Sequence, residues 1–232
     1  GESGGSGWVC VSNSRFTEIG TNAHVVATAL KLGSKVRVTM SDGKQYEAKL
    51  IGYDPKQDFA YLQVDTKGKI YPTMHLIPDS SLLQQGDYVA TMGMPAGYKE
   101  TFSDGRISNT KPINSPPKDT DIRVVGPQLQ TTAPFTHGSS GGIAADSKGQ
   151  LVGMPTSAVE RNGNLGFVNS SNNIADSLLA LRVFQEHKLP YKHLQLALTI
   201  RPDTIQGLQQ DLQDAKDASA AYTKELHLVK QE

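Results

Sequence analysis

The chain has 232 residues and a mass of 25.0 kDa, enough to bury a core without covalent staples. Its 23 basic side chains balance 23 acidic ones, so no net field draws it to nucleic acid or to an anionic bilayer. Mean hydropathy is −0.39, and no apolar run approaches the roughly 18 residues of a membrane helix, which excludes a helical membrane span. The single cysteine, Cys10, cannot close an intrachain disulfide, and no Cys/His grouping has zinc-ligand spacing, so disulfides, structural metal and cofactors are not expected. Gly1 to Gly7 has neither the basic start nor the apolar stretch of a signal peptide, which reads as a cytoplasmic chain or a trimmed leader.

From Trp8 to about Phe167 the chain offers short apolar runs separated by turn signals, an all-β pattern. Strands are expected at Val36 to Met40, Tyr46 to Ile51 and Phe59 to Val64, with Ser41-Asp42-Gly43-Lys44 as a hairpin turn between the first two. Further strands are expected at Tyr88 to Met92, Gly105 to Ser108, Gln128 to Thr131, Gly142 to Ala145, Leu151 to Met154 and Leu165 to Val168. So many short strands indicate barrels or a sandwich. The proline density of Pro112 to Pro117 resists a ladder and reads as an exposed loop. Ile174, Leu178, Leu179 and Val183 have helical spacing, which predicts a closing helix over Asn172 to His187. Past Pro190 the composition changes, and Ile205, Leu208, Leu212, Ala215, Tyr222, Leu226 and Val229 recur at steps of three and four around a gap at Ser219. Such a helix over 203–230 either folds back on its own domain or serves self-association or a partner.

Three peptides could carry chemistry. Gly138-Ser139-Ser140-Gly141-Gly142 sets serines among glycines; it reads either as a flexible turn or as a nucleophile loop whose backbone N–H groups face a developing oxyanion. In Thr21-Asn22-Ala23-His24-Val25-Val26, His24 taken alone is a packed histidine or a base. Asp58, in Gln57-Asp58-Phe59-Ala60-Tyr61-Leu62, opens an apolar strand, as a turn residue or as a carboxylate carried to the edge of the interior. Taken together in a many-stranded β protein, the order His, Asp, Ser is that of the chymotrypsin-type triad.

These three peptides resemble the triad motifs of trypsin-like serine proteases of the bacterial HtrA (DegP/DegS) type. The likeness runs from about Gly5 to Ser170 and includes Gly5-Ser6-Gly7-Trp8, Val38 to Gly43, Ala48 to Pro55, Gly86 to Pro95, Leu129-Gln130-Thr131, Gly149 to Gly153 and Leu165-Gly166-Phe167. It implies two six-stranded antiparallel β-barrels, about 5–75 and 76–170, closed by the helix 172–187 in a protease domain of residues 5–189, followed by a helical extension over 190–232. Mapped residue by residue, Ser140 is the nucleophile, His24 the base and Asp58 the group that orients the imidazole, with Gly138, Ser139 and Ser140 forming the oxyanion hole. The substrate side falls to Phe135, Thr136, Thr156, Ser157 and Ala158. With no acidic residue there, small or medium apolar side chains are expected on the acyl side of the cut. His137 reads as an exposed loop residue.

The resemblance makes protein or peptide substrates the expected partners, in protein quality control or regulated proteolysis, and favours a periplasmic or secreted setting. Two departures stand out. No stretch reads as a PDZ domain, and Pro155 replaces the family's usual Asn, removing a backbone donor near the substrate strand. The competing expectation is a latent enzyme or pseudoprotease that binds through its carboxy-terminal helix; the presence of all three triad residues argues against it.

Overall fold

Short alternating and β-branched runs give eleven strands, with two helices, among the residues that this computed structural model describes: 4–94, 101–110, 128–134, 138–159 and 165–187. The chain divides into two units, Gly1–Ala175 and Asp176–Glu232, and all the strands lie in the first. No helix among the described residues is long and apolar enough to cross a membrane.

The first lobe contains β1 (Trp8–Ser12), β2 (Thr17–Thr21), α1 (Ala23–Lys31), β3 (Val36–Thr39), β4 (Gln45–Asp54) and β5 (Phe59–Val64). Its strands form an antiparallel sheet in the order β1-β2-β5-β4-β3. β5 is central, so it buries both faces. Ala60, Leu62 and Val64 pack with Ile19, Val26 and Met40, while the rings of Phe59 and Tyr61 stack on the other face at 6.1 Å. The turn between β3 and β4 closes as expected, with Gly43 at φ +81° and its N–H on the Met40 carbonyl at 2.9 Å.

This lobe corrects one expectation: it is a five-stranded sheet, not a closed six-stranded barrel. β3 has only four residues and pairs with β4 alone. At the opposite edge β1 meets the following linker through separate bonds rather than a ladder. The Met74 N–H donates to the Val9 carbonyl at 2.9 Å, and the Tyr71 N–H to Ser12 Oγ at 2.9 Å. Among the described residues, a short strand at one edge and an irregular linker at the other leave this sheet open.

The second lobe does close. It consists of β6 (Tyr88–Gly93), β7 (Thr101–Asn109), β8 (Gln128–Thr131), β9 (Ile143–Ala145), β10 (Leu151–Val159) and β11 (Leu165–Ser170), in the barrel order β10-β11-β8-β7-β6-β9. Val89, Ile107, Leu129, Ala144, Val152 and Val168 fill its interior. β10 runs on past the expected Met154 because Pro155 falls at a bulge, where the register against β11 shifts between Pro155 and Ser157 and a missing N–H is tolerated.

Two helices frame these lobes in sequence. α1 is absent from the sequence-based expectation because its nine residues are too few for a clear period and include Val25 and Val26. α2 (Ser171–His187) forms where expected. Asn172 ties its start to the linker, accepting from the Ser80 N–H and donating to Asp79 Oδ1, both at 2.8 Å. That bond is the main cause, followed by the Ser81 contacts, that holds the Asp79 carboxyl below its ordinary value of 3.8. The loop Pro112 to Pro117 and the helix expected over 203–230 lie outside the described residues.

Candidate active site

α1 delivers His24 in its first turn, and the way this helix is capped builds the site. Asn22 is the N-cap, at φ −72° and ψ 146°, yet its side chain makes no capping bond. It turns instead to the Asp58 carbonyl, to which Nδ2 donates at 3.0 Å. The cap comes from across the sheet: the His24 backbone N–H donates to Asp58 Oδ1 at 2.9 Å. A carboxylate at a helix N-terminus satisfies an otherwise unpaired N–H and lies at the positive end of the helix dipole.

The same carboxylate meets the His24 ring, whose Nδ1 is 2.8 Å from Oδ2 and 3.0 Å from Oδ1. Because a carboxylate only accepts, Nδ1 is the donor, and in the neutral ring this leaves the lone pair on Nε2. His24 is partly exposed at 22% of its side chain, whereas the Asp58 side chain is 3% exposed. Thr156, on β10 of the second lobe, completes the set by donating its hydroxyl to Asp58 Oδ2 at 2.6 Å. The buried carboxylate is thus fully bonded, as burial in a low-dielectric interior requires. The nearby Tyr53 phenol is pushed above its ordinary 10.0, by burial first and by the Asp58 charge second.

Asp58 itself has φ +48°, a left-handed conformation that aspartate adopts more readily than most residues. The peptide around it is braced from both sides. Asn22 holds the Asp58 carbonyl, and Asn169 of β11 donates to the Gln57 carbonyl at 2.6 Å while accepting from Asn173 Nδ2 at 2.9 Å. All three asparagines are essentially buried.

The serine turn comes from the loop between β8 and β9. Ser139 is buried at 4% exposure, whereas the Ser140 hydroxyl belongs to a half-buried residue. Gly138 and Gly141 have φ +94° and +83°, conformations that admit glycine best. Gly142 N–H donates to the Ser139 carbonyl at 2.9 Å, Gly141 N–H to the Pro155 carbonyl at 3.1 Å, and Ser6 N–H to the Ser140 carbonyl at 2.8 Å. A Cβ on Gly141 would run into the Ser6 carbonyl, the Thr21 hydroxyl and the Asn22 N–H. The turn therefore lies directly against the strand end that precedes His24. Among the described residues no hydrogen bond joins Ser140 to His24.

Of the substrate-side residues, Thr156 is 6% exposed with its hydroxyl committed to Asp58, and Ser157 Oγ is enclosed without a partner among the described residues. Ala158 pairs with Gly166 in the ladder between β10 and β11. Phe135, Thr136 and His137 lie outside the described residues. The sequence reading gave no positioning role to Asn22, Asn169 or Ser6, and no link from Thr156 to Asp58; none of these has a local signature, because each bond spans lobes or distant segments.

The trypsin-like peptidase domain family matches residues 5–154. The chain belongs to that family of serine proteases. Within it the relatives are of the HtrA/DegP kind. The chain is 35% identical over 167 residues to a probable periplasmic serine endoprotease, DegP-like, of Pseudomonas putida, covering 72% of this chain and 31% of the relative. It is 32% identical over 157 residues to the periplasmic serine endoprotease DegP of Escherichia coli, covering 66% and 30%. A putative serine protease, HhoB, of Synechocystis is 31% identical over 209 residues, covering 88% and 46%. The chain thus spans less than half the length of these relatives. Among solved structures, the HtrA-type protease AlgW with a decapeptide superposes with a TM-score of 0.63 at 29% identity, over 79% of this chain and 52% of that one. The fold is accordingly chymotrypsin-like and mostly β.

Proposed function

We propose that the chain is a serine endopeptidase acting through an acyl-enzyme intermediate, with residues 5–189 as the protease domain. The observation that carries this reading is the His24 ring held on a buried, fully bonded carboxylate beside a glycine-rich turn that leaves Ser140 more open than Ser139. In this reading Ser140 Oγ attacks the scissile carbonyl and His24 Nε2 takes its proton, later passing it to the leaving amine. Asp58 keeps the proton on Nδ1 and stabilises the imidazolium as it forms. The N–H groups of Gly138 and Ser140 donate to the tetrahedral oxyanion, with Ser139 completing the turn, and each such donor is worth about 2.7–4 kcal/mol of transition-state stabilisation.

Substrate selection falls to Phe135, Thr136, Thr156, Ser157 and Ala158; residues of neutral type favour small or medium apolar side chains before the cut. The likeness to HtrA-type proteases extends the proposal to a role in protein quality control or regulated proteolysis. The test is reaction with a fluorophosphonate probe read by intact mass, beside a peptide-cleavage assay. Wild type is expected to gain one adduct and Ser140→Ala none, with cleavage lost in the variant. Cleavage that survives Ser140→Ala excludes Ser140 as the nucleophile, and a wild type that neither labels nor cleaves overturns the reading.

A further inference from the structure

The backbone conformation of a residue is the rotation between the two peptide planes that meet at its Cα. For Asp58 those planes are the Gln57–Asp58 and Asp58–Phe59 peptides, and a fully buried asparagine holds the carbonyl of each. Asn169 Nδ2 donates to the Gln57 carbonyl at 2.6 Å, and Asn22 Nδ2 donates to the Asp58 carbonyl at 3.0 Å. With both carbonyls anchored, φ and ψ of Asp58 are set, and with them the direction in which its Cβ leaves the chain. The anchoring matters because φ is +48°, an uncommon conformation for a residue with a side chain, which persists where the surrounding structure imposes it.

The chemistry of the two asparagines fits this use. Each faces a carbonyl, which only accepts, so the amide nitrogen and not the oxygen must point at it. Asn169 uses its oxygen as well, accepting from Asn173 Nδ2 at 2.9 Å. Asn22 does not: its Oδ1 is enclosed with no partner among the described residues, and its side chain makes no bond to the helix it precedes. A buried amide oxygen without a donor is unfavourable, so what this side chain supplies is its bond to Asp58. The aspartate side chain is short, and its carboxylate must meet the His24 N–H, the His24 ring and the Thr156 hydroxyl at once. A turn of the Asp58 backbone therefore displaces the carboxylate relative to all three.

We propose that Asn22 and Asn169 are a pair of positioning residues that fix the Asp58 backbone, so that its carboxylate keeps the His24 ring in line, while neither touches substrate or a reacting atom. The proposal rests on the reading of His24 as base and Asp58 as its orienting group. One anchor precedes α1 and the other belongs to β11 of the barrel, so the second lobe helps to set the carboxylate of the first.

The test uses Asn169→Leu, which removes the donor at similar volume, and Asn22→Ser, which keeps a residue suited to a helix start but too short to reach Asp58. Asn169→Ala and Asn22→Ala replace them if either fails to fold. Each is made in the full wild-type chain and in Asp58→Gly, which tolerates the left-handed backbone and has no carboxylate to position. Active sites are counted by fluorophosphonate labelling carried to completion, and thermal melts report the fold. In the wild-type background each substitution is expected to lower kcat by about 10- to 100-fold with KM within about twofold, the scale of a catalytic group misplaced by about 1 Å. In Asp58→Gly the same substitutions should change kcat by less than about twofold. Unchanged kcat in the folded variants overturns the proposal. So does an equal loss in both backgrounds, which marks a purely structural role, or a loss confined to KM or melting temperature. A wild type inert to the probe fails differently, since it removes the serine protease reading on which the proposal stands.

Discussion

In the first lobe the proposed base and the carboxylate proposed to orient it sit on or beside regular elements, His24 in the first turn of α1 and Asp58 at the entrance to β5. In the second lobe the proposed nucleophile sits on a turn, between a four-residue strand and a three-residue strand. Their precision therefore has different origins. The first lobe, an open sheet, orients its pair through side-chain bonds, with Asp58 serving at once as helix cap and ring acceptor. The second, a closed barrel, orients its turn through close backbone approach at glycines, with side chains from elsewhere acting as outside anchors. Polar deletions should accordingly injure the first lobe's contribution and added bulk the second's.

The largest expected effect tests the first half of that contrast. Asp58→Asn replaces the ring acceptor with an amide, and kcat should fall by about 10⁴, the cost of the same change in the chymotrypsin-type triad. Asparagine tolerates the left-handed conformation seen at φ +48°, so the melting temperature should move little. Kinetics and a thermal melt on one preparation decide this; an activity loss that merely tracks lost fold contradicts the assignment of the carboxylate to orientation.

Added bulk comes next. Gly141→Ala meets both the left-handed penalty and a collision with Ser6, Thr21 and Asn22, together about 2–5 kcal/mol. Gly43→Ala is the matched control, with φ +81° but open space around its Cβ, and should cost only about 1–2 kcal/mol. Urea unfolding of the pair isolates the steric part; equal losses at the two sites would contradict close approach as the device that seats the turn.

Asn169→Ala probes the brace between lobes. It removes the Asn169 bonds to the Gln57 carbonyl and from Asn173 Nδ2, a destabilisation of about 1–3 kcal/mol. A stability unchanged in urea would show that the brace is redundant with Asn22.

The smallest effect lies away from the site, where Asp79 joins the linker to α2. Its folded pKa is depressed below 3.8, chiefly by Asn172, so its contribution is present above that value and is lost as pH falls through the folded pKa. The stability difference between wild type and Asp79→Ala, measured in urea at about pH 6 and about pH 3, should narrow at the lower value. A difference that widens on acidification reverses the sign and excludes the ionised carboxylate as the partner of Asn172.

Much of the fold was legible locally. The strands Phe59–Val64 and Gln128–Thr131 form within their expected bounds, and the hairpin turn at Gly43 forms as its residues indicate. The nine-residue α1 was hidden because its β-branched pair and short length carry no clear helical period. β10 was cut short in expectation at Pro155, since nothing in a local window announces the bulge that accommodates it.

The sequence by itself determined the mostly β class, the order of His24, Asp58 and Ser140, and the glycines that permit the turn, because periodicity and backbone freedom are local properties. Tertiary structure alone decided that the first lobe stays an open sheet, that Thr156 and Asn169 from the barrel brace Asp58 and the adjoining Gln57, and that Ser6 reaches Gly138. Those bonds join residues 98, 112 and 132 positions apart. Their partners are chosen by how the two lobes pack, and an isolated threonine, asparagine or serine looks the same in sequence whether it meets such a partner or water.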